Sequence, residues 1–318
     1  MYNSLVLWIE QYLFFPNFFQ KLISILFLPL TLLYCIIITF KRVSKKPIYY
    51  GIPVISVGNL LVGGTGKTPV TIALAKKYVE VAIVLRGYGR GSKGLFVVSR
   101  NGKVLEDVNT SGDEAMLLAN SLPNATIIVC EDRKKAIIKA KELGCKIVFL
   151  DDGYGKHEIY KYDLLLRPKK EPTNIFCLPS GGYRDTKMMY SFADCVLKED
   201  VDFKREVIIR NSDGDEIEAL PQNTLLLTAI SKPYRLLEYL PKNIKMVSFP
   251  DHYAFTQKDM DDLMKKYPDF SIVTTSKDMV KIQQLDVWVA VYLMHLEVII
   301  DHEIQKKIDQ YIKNNRNN

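Results

Sequence analysis

The chain has 318 residues, with 43 Lys and Arg against 36 Asp and Glu, for a formal net charge of +7. With 48% apolar and 25% charged residues it is neither disordered nor of low complexity, and its length suits one large or two medium folded domains. Five scattered cysteines (Cys35, Cys130, Cys145, Cys177 and Cys195) form no C-x-x-C pair, which argues against a disulfide framework and a structural zinc site.

The first element is apolar. Of residues 1–40, 28 are apolar, and residues 22–40 form a run of 19 without a charge. As a helix that run measures about 28 Å, close to the hydrocarbon thickness of a bilayer. Lys41, Arg42, Lys45 and Lys46 follow it directly, an order opposite to that of a signal peptide and suited to a cytoplasmic flank beside anionic headgroups. Pro29 interrupts the run and permits a kinked or shallow insertion, and the aromatic residues of 1–20 (Trp8, Tyr12, Phe14, Phe15, Phe18, Phe19) suit an interface. The expectation is an N-terminal membrane helix within a membrane-associated segment, residues 1–46. That segment holds five basic residues and one acidic residue, a net +4 of the total +7. The +3 left over is ordinary for an enzyme with an anionic substrate and a weak nucleic-acid footprint, so the expected partners include a membrane surface, with no nucleic acid and no obligate protein partner evident.

From Pro47 on, β-branched runs alternate with helical stretches. Strands are predicted at 53–57, 81–85, 125–130, 146–150, 163–166 and 194–197, and helices at 67–79, 113–121 and 132–143. A hairpin turning through Asn101-Gly102 inserts at 95–106, and 206–215 reads as a second hairpin in a linker. A second alternation runs from about Pro221: strands 225–229, 245–249, 271–275 and 287–293, helices 233–240 and 257–267, then a closing helix 302–312. The fold class is α/β with mostly parallel strands. The division expected is 47–220 as a nucleotide-binding α/β domain with its linker, 221–301 as a second, smaller α/β domain, and 302–318 as a C-terminal helix and tail.

The most specific motif follows the first predicted strand: GNLLVGGTGKTP, residues 58–69. Glycines let backbone N–H groups curl around phosphate oxygens at a helix N-terminus, a lysine reaches the β- and γ-phosphates, and a Thr hydroxyl ligates Mg²⁺. Leu61, Val62, Gly63, Gly64, Thr65, Gly66, Lys67 and Thr68 are therefore the candidate nucleotide loop. Leu61 stands where the strict pattern asks for glycine, so the loop is a variant.

Three further features carry candidate chemistry. The apolar strand ending in Asp151-Asp152 offers carboxylates that, with Thr68, suit Mg²⁺ beside a phosphate loop. Asp113 opens a predicted helix, as a plain cap or as the acceptor of a proton from an attacking hydroxyl, and His252 follows a strand of the second alternation. The glycine-rich stretch 86–94 carries Arg86, Tyr88 and Arg90, and Arg184 lies in a second such stretch; both are either solvated or suited to a phosphorylated substrate. Asp152-Gly153-Tyr154-Gly155 also fits the D-x-x-G spacing of a nucleotide switch. A membrane-associated P-loop ATPase or GTPase is thus the rival class, although Ser276-Lys277-Asp278 lacks the spacing of a guanine-specificity loop.

Taken in order, GNLLVGGTGKTP, RGYGRGSKG, SGDEA, LDDGYGKH, GGYRD, FPDHYAF and TTSKD resemble the tetraacyldisaccharide 4′-kinase (lipid A 4′-kinase) family of Gram-negative bacteria, up to about Lys281. The resemblance implies a P-loop kinase-like lobe and a smaller α/β lobe joined by a β linker, with a membrane helix, at the cytoplasmic face of the bacterial inner membrane. It implies transfer of phosphate from ATP, with Mg²⁺, to the 4′-hydroxyl of an acylated glucosamine disaccharide 1-phosphate, giving lipid IVA. It also implies Asp113 as the catalytic aspartate with His252 as its partner, Asp151 and Asp152 at the metal, and Arg184 facing the nucleotide–substrate cleft. Tyr88 is expected on the substrate side. Two motifs depart from the family pattern: Gly155-Lys156 stands before His157 where Gln is usual, and GGYRD replaces Gly-Pro-Leu-Arg-Glu at Asp185.

Overall fold

A computed structural model describes residues 2–230 and 233–316. In chain order the elements begin with helices α1 (Tyr2–Phe14), α2 (Phe18–Leu26) and α3 (Leu28–Val43), then β1 (Val54–Asn59), α4 (Lys67–Ala75), β2 (Val81–Leu85), β3 (Phe96–Arg100) and β4 (Lys103–Val104). Next come α5 (Val108–Ser111), α6 (Asp113–Ser121), β5 (Thr126–Val129), α7 (Arg133–Glu142), β6 (Ile147–Asp151), β7 (Tyr162–Arg167), β8 (Cys195–Lys198) and β9 (Phe203–Arg210). The chain closes with β10 (Thr224–Thr228), β11 (Lys245–Ser248), α8 (Gln257–Lys266), β12 (Ser271–Thr275), α9 (Ser276–Ile282), β13 (Val291–Ile300) and α10 (His302–Arg316). The mixed α/β reading holds.

The chain divides into two compact units, one of Met1–Lys67, Ile147–Phe203 and Asp301–Asn318, the other of Thr68–Lys146 and Lys204–Ile300. In the first unit β6, β1, β7 and β8 lie side by side, all parallel. Every residue of β1 and β6 is buried, as expected of parallel strands covered on both faces, and their apolar runs supply that core. The register sets Val57 opposite Asp151, so the ends of β1 and β6 bring Asn59 and the paired carboxylates to one edge. In the second unit β5 pairs in parallel with β2 and antiparallel with β3, whose hairpin to β4 turns at Asn101-Gly102 as the sequence predicts. That unit also holds a sheet ordered β11-β10-β12-β13-β9, with parallel pairing from β11 through β13.

The N-terminal segment departs from a single membrane helix. Among the described residues no single helix is long and apolar enough to cross a membrane, and α2 and α3 meet at a 58° bend. Pro29 in the first turn of α3 and the Phe27 cap explain the break, since the proline cannot donate the hydrogen bond that would continue α2. One face of these helices is polar and buried in the first unit. Thr31 Oγ1 donates to Ser180 Oγ at 2.7 Å, Asn174 donates to the Tyr12 carbonyl at 3.2 Å, and Tyr34 donates to the Arg184 carbonyl at 2.7 Å. The opposite face exposes Phe18, Phe19, Leu22, Leu26, Leu32, Leu33 and Phe40. Two of the basic residues that follow the apolar run, Arg42 in the last turn of α3 and Lys45 just beyond it, are spoken for within the unit: Arg42 pairs with Asp185, and Lys45 with Glu158 at 2.8 Å.

Candidate active site

The glycine-rich loop joins β1 to α4 in the arrangement its sequence implies. Gly63 and Gly66 adopt φ of +86° and +74°, a region closed to most side chains, and Lys67 and Thr68 open the helix. Leu61 is not a defective glycine position. It is buried, its neighbour Val62 donates to the Gly182 carbonyl at 2.9 Å, and Leu61 bridges Tyr183 in antiparallel pairing, so the entry to the loop is pinned from the side. Gly64 and Thr65 lie between the two left-handed glycines.

A polar hub forms at the base of this loop. Lys67 Nζ lies 3.3 Å from Asn59 Oδ1 and 3.7 Å from Asp152 Oδ1. Arg184 donates to both oxygens of Asp152 at 3.2 and 3.1 Å and to the Asn59 carbonyl at 3.0 Å, and it also binds the Asn59 side chain. Asn59 in turn donates to the Leu61 carbonyl at 2.8 Å. Asp151 is buried, whereas Asp152 is 44% exposed in its side chain and holds a φ of +54°. Backbone held in that region costs on the order of 1–3 kcal/mol and recurs at functional sites. Among the described residues no cluster of three His, Cys, Asp or Glu side chains placed to hold a metal ion forms. The two carboxylates are hard oxygen donors, of the kind that fits a Mg²⁺ ion that keeps several of its waters.

Asp113 and His252 come together in the second unit. Gly112, at φ +86°, caps α6 where a Cβ would meet the Tyr88 carbonyl at 3.3 Å. Asp113 follows, 6% exposed, with Oδ1 accepting from the Glu114 amide at 2.9 Å. His252 Nδ1 lies 3.1 Å from each carboxylate oxygen, and Lys277 and Lys281 stand 3.7 and 3.8 Å from Oδ2. Burial alone would raise the Asp113 carboxyl, but the hydrogen bond from His252 and the charges of Lys277 and Lys281 outweigh it and hold the group below the usual carboxylate range. The hydrogen bond to Asp113 pushes His252 up from its ordinary value, against burial and the charge of Lys277. His252 also holds a φ of +61°.

The remaining candidates separate. Tyr88 is exposed, and its ring centre lies 5.3 Å from that of His252. Arg86 is exposed at the end of β2. The Arg90 side chain is buried and committed, bonding Glu131 and the Gly94 carbonyl at 2.6 Å each and lying over Phe96. Asp185 accepts from Arg42 and from the Thr186 amide, serving α3. His157 packs edge-on against Tyr154, and burial, with Lys161 and Arg42 nearby, pushes it down to about 4. Sequence reasoning missed Asn59, Lys277, Asp278 and Lys281. Asn59, Lys277 and Asp278 sit inside motifs already singled out, GNLL and TTSKD, and Lys281 lies three residues beyond the second, but only the folded chain shows what each one touches.

Comparison with known proteins gives one consistent answer. The family model described as "Tetraacyldisaccharide-1-P 4'-kinase" matches residues 23–313. A tetraacyldisaccharide 4'-kinase of Aliarcobacter butzleri (strain RM4018) is 57% identical over 98% of this chain and 99% of its own. Those of Helicobacter acinonychis (strain Sheeba) and Campylobacter jejuni (strain NCTC 11168) are 44% and 41% identical, each over 96% of this chain and over 94% and 96% of their own. A crystal structure of LpxK from Aquifex aeolicus in complex with ATP superposes with a TM-score of 0.72 at 27% identity, over 91% of this chain and 99% of that one.

Proposed function

The chain belongs to the tetraacyldisaccharide 4'-kinase family, and from that premise we propose how its residues divide the work. The enzyme is a kinase of lipid A biosynthesis that uses ATP to phosphorylate the 4′-hydroxyl of an acylated glucosamine disaccharide 1-phosphate. The rival reading, a nucleotide-hydrolysing switch, has no place for a His-Asp pair in the second unit.

The triphosphate lies on the loop from Leu61 to Thr68, with backbone amides and the α4 N-terminus receiving its oxygens and Lys67 its β- and γ-phosphates. Arg184 and Asn59 hold Lys67 and Asp152 in place from below. Thr68, Asp151 and Asp152 would hold Mg²⁺, which when bound neutralises charge on the β- and γ-oxygens. Asp113 is the proton acceptor. Kept ionised at neutral pH, it orients the 4′-hydroxyl and takes its proton as charge spreads over the transferring group. His252 orients Asp113, and Tyr88 and Arg86 line the substrate side.

The N-terminal helices seat the enzyme on the cytoplasmic face of the inner membrane. Polar contacts from Tyr12 through Arg42 fasten one face to the first unit, leaving the apolar face for one leaflet, and Lys41 and Lys46 stay exposed for anionic headgroups. The acyl chains of the substrate are reached in the same plane.

The observation that carries the catalytic assignment is the 3.1 Å contact of His252 with a buried, ionised Asp113. The test is labelled ATP with an acylated disaccharide 1-phosphate in mixed micelles. Asp113→Ala should bind ATP normally while label in lipid falls by about 10²-fold or more. Transfer near the wild-type rate would remove Asp113 from the mechanism.

A further inference from the structure

Lys277 is the second residue of α9, and its side chain is 18% exposed. It faces three carboxylates, with Nζ 3.4 Å from Asp251, 3.7 Å from Asp113 and 3.8 Å from Glu114. Its fourth neighbour is His252, with Nζ 3.4 Å from Nε2. A lysine ammonium only donates, so a hydrogen bond there requires Nε2 to be the unprotonated nitrogen, and the ring proton must sit on Nδ1. Nδ1 is the atom facing Asp113.

The placement of Lys277 is built rather than incidental. Thr275 caps α9 by accepting from the Asp278 amide, and Asp278, fully buried, accepts from Thr228 Oγ1 at 2.7 Å, Thr275 Oγ1 at 2.9 Å and the Ala229 amide at 3.1 Å. Those bonds tie the start of α9 to the ends of β10 and β12. His252 is fixed from the same place, since its amide donates to the Ala229 carbonyl at 3.2 Å. One turn on, Lys281 pairs with Asp278 at 2.8 Å, so it does not take the place of Lys277 at His252.

We propose that Lys277 is a positioning residue for phosphoryl transfer: by donating to Nε2 it fixes His252 in the tautomer that donates through Nδ1 to Asp113. This rests on the reading of Asp113 and His252 given above. Asp251 Oδ2, 3.7 Å from Nε2, would attract a proton-bearing Nε2 and so favours the opposite tautomer; Lys277 competes with it. Tyr88 contributes only a tilted ring face. The burial-opposed pull of Asp113, Glu114 and Asp251 raises Lys277, so it stays charged and resists protonation of its histidine neighbour.

The full-length enzyme in detergent, labelled with ¹⁵N-histidine, tests this, since only four histidines need resolving and His252→Gln identifies one of them. Wild type should show His252 as the Nδ1–H form near pH 8. Lys277→Met should convert it to the Nε2–H form or to imidazolium, move the acid limb of the kcat profile to higher pH, and lower kcat at least about tenfold with the KM for ATP within about twofold. Lys277→Arg should restore the tautomer and part of the rate. If Lys277→Met leaves tautomer and acid limb unchanged, the proposal is overturned, even where stability drops. If His252→Gln and Asp113→Asn retain full transfer, the underlying assignment of the pair fails instead.

Discussion

Arg184 lays its guanidinium across Asp152, reaching one carboxylate oxygen at 3.2 Å and the other at 3.1 Å, and the same NH2 group bonds the Asn59 carbonyl at 3.0 Å. Two segments far apart in sequence are thereby locked under the lysine of the phosphate loop. A planar fork can do this; a single ammonium cannot.

Arg184→Ala should therefore weaken ATP binding by about 10-fold or more, the scale of losing charge-assisted hydrogen bonds, with little effect on kcat at saturating ATP. Arg184→Lys should not restore it. Nucleotide titration with a fluorescent ATP analogue measures both, and full rescue by lysine would show that charge alone matters.

The pH dependence follows from the direction of two shifts. Asp113 sits below the usual carboxylate range and stays ionised throughout neutral pH, so it does not set the acid limb there. His252 is raised above 6.5, so kcat/KM should fall on the acid side with an apparent pKa above that value, as imidazolium formation draws on the charge of Asp113. In stability terms the raised His252 contributes below pH 6.5 and its contribution is lost as pH rises through the folded value. Asp113 contributes above the unfolded carboxylate range, and its contribution is lost on acidification. A rate profile from pH 5 to 9, with His252→Gln lacking the limb, checks the assignment.

Gly58 lies in β1 where a Cβ would come within 2.6 Å of the Tyr154 Cβ. That neighbour is the root of a buried side chain and has little room to give. Gly58→Ala is expected to destabilise the fold by about 1–3 kcal/mol, the usual range for overpacking, and to lower the melting temperature by several degrees. An unchanged melt would mean that β1 shifts more freely than its fully buried register suggests.

For the membrane face, the triple change Phe18→Ser, Phe19→Ser and Leu26→Ser removes three exposed apolar side chains. At about 1.5–3 kcal/mol for burying each, partition onto anionic vesicles should drop by about 100-fold or more. Activity on a short-chain, micelle-free substrate should persist. Sedimentation with vesicles reads the first outcome and the kinase assay the second.

The sequence made some of this plain and hid the rest for physical reasons. The apolar run Val81–Leu85 and the β-branched run Ser271–Thr275 coincide with observed strands, the first buried throughout and the second buried at its three central residues. The phosphate loop was readable because its chemistry is local. The α2–α3 bend was foreshadowed by Pro29, yet its buried polar face needed Ser180 and Asn174, about 150 residues away. Strand β13 begins later and runs longer than expected, Val291–Ile300, since its partner β12 decides the register. Arg90 read as solvated or substrate-facing, whereas Glu131 holds it, and Lys277 stood in the sequence only as part of TTSKD, whereas the fold surrounds it with acids.

The hydroxyl of Tyr34 has a practical bearing on how this enzyme is handled. Tyr34 grips the carbonyl of Arg184, and Arg42 grips the next residue, Asp185, so the apolar N-terminus doubles as scaffolding for the nucleotide hub. Trimming the first 46 residues to obtain a detergent-free preparation would strip two struts from Arg184 along with the greasy surface. A poor ATP affinity in such a truncated protein would be the mark of the excision, not a property of the kinase.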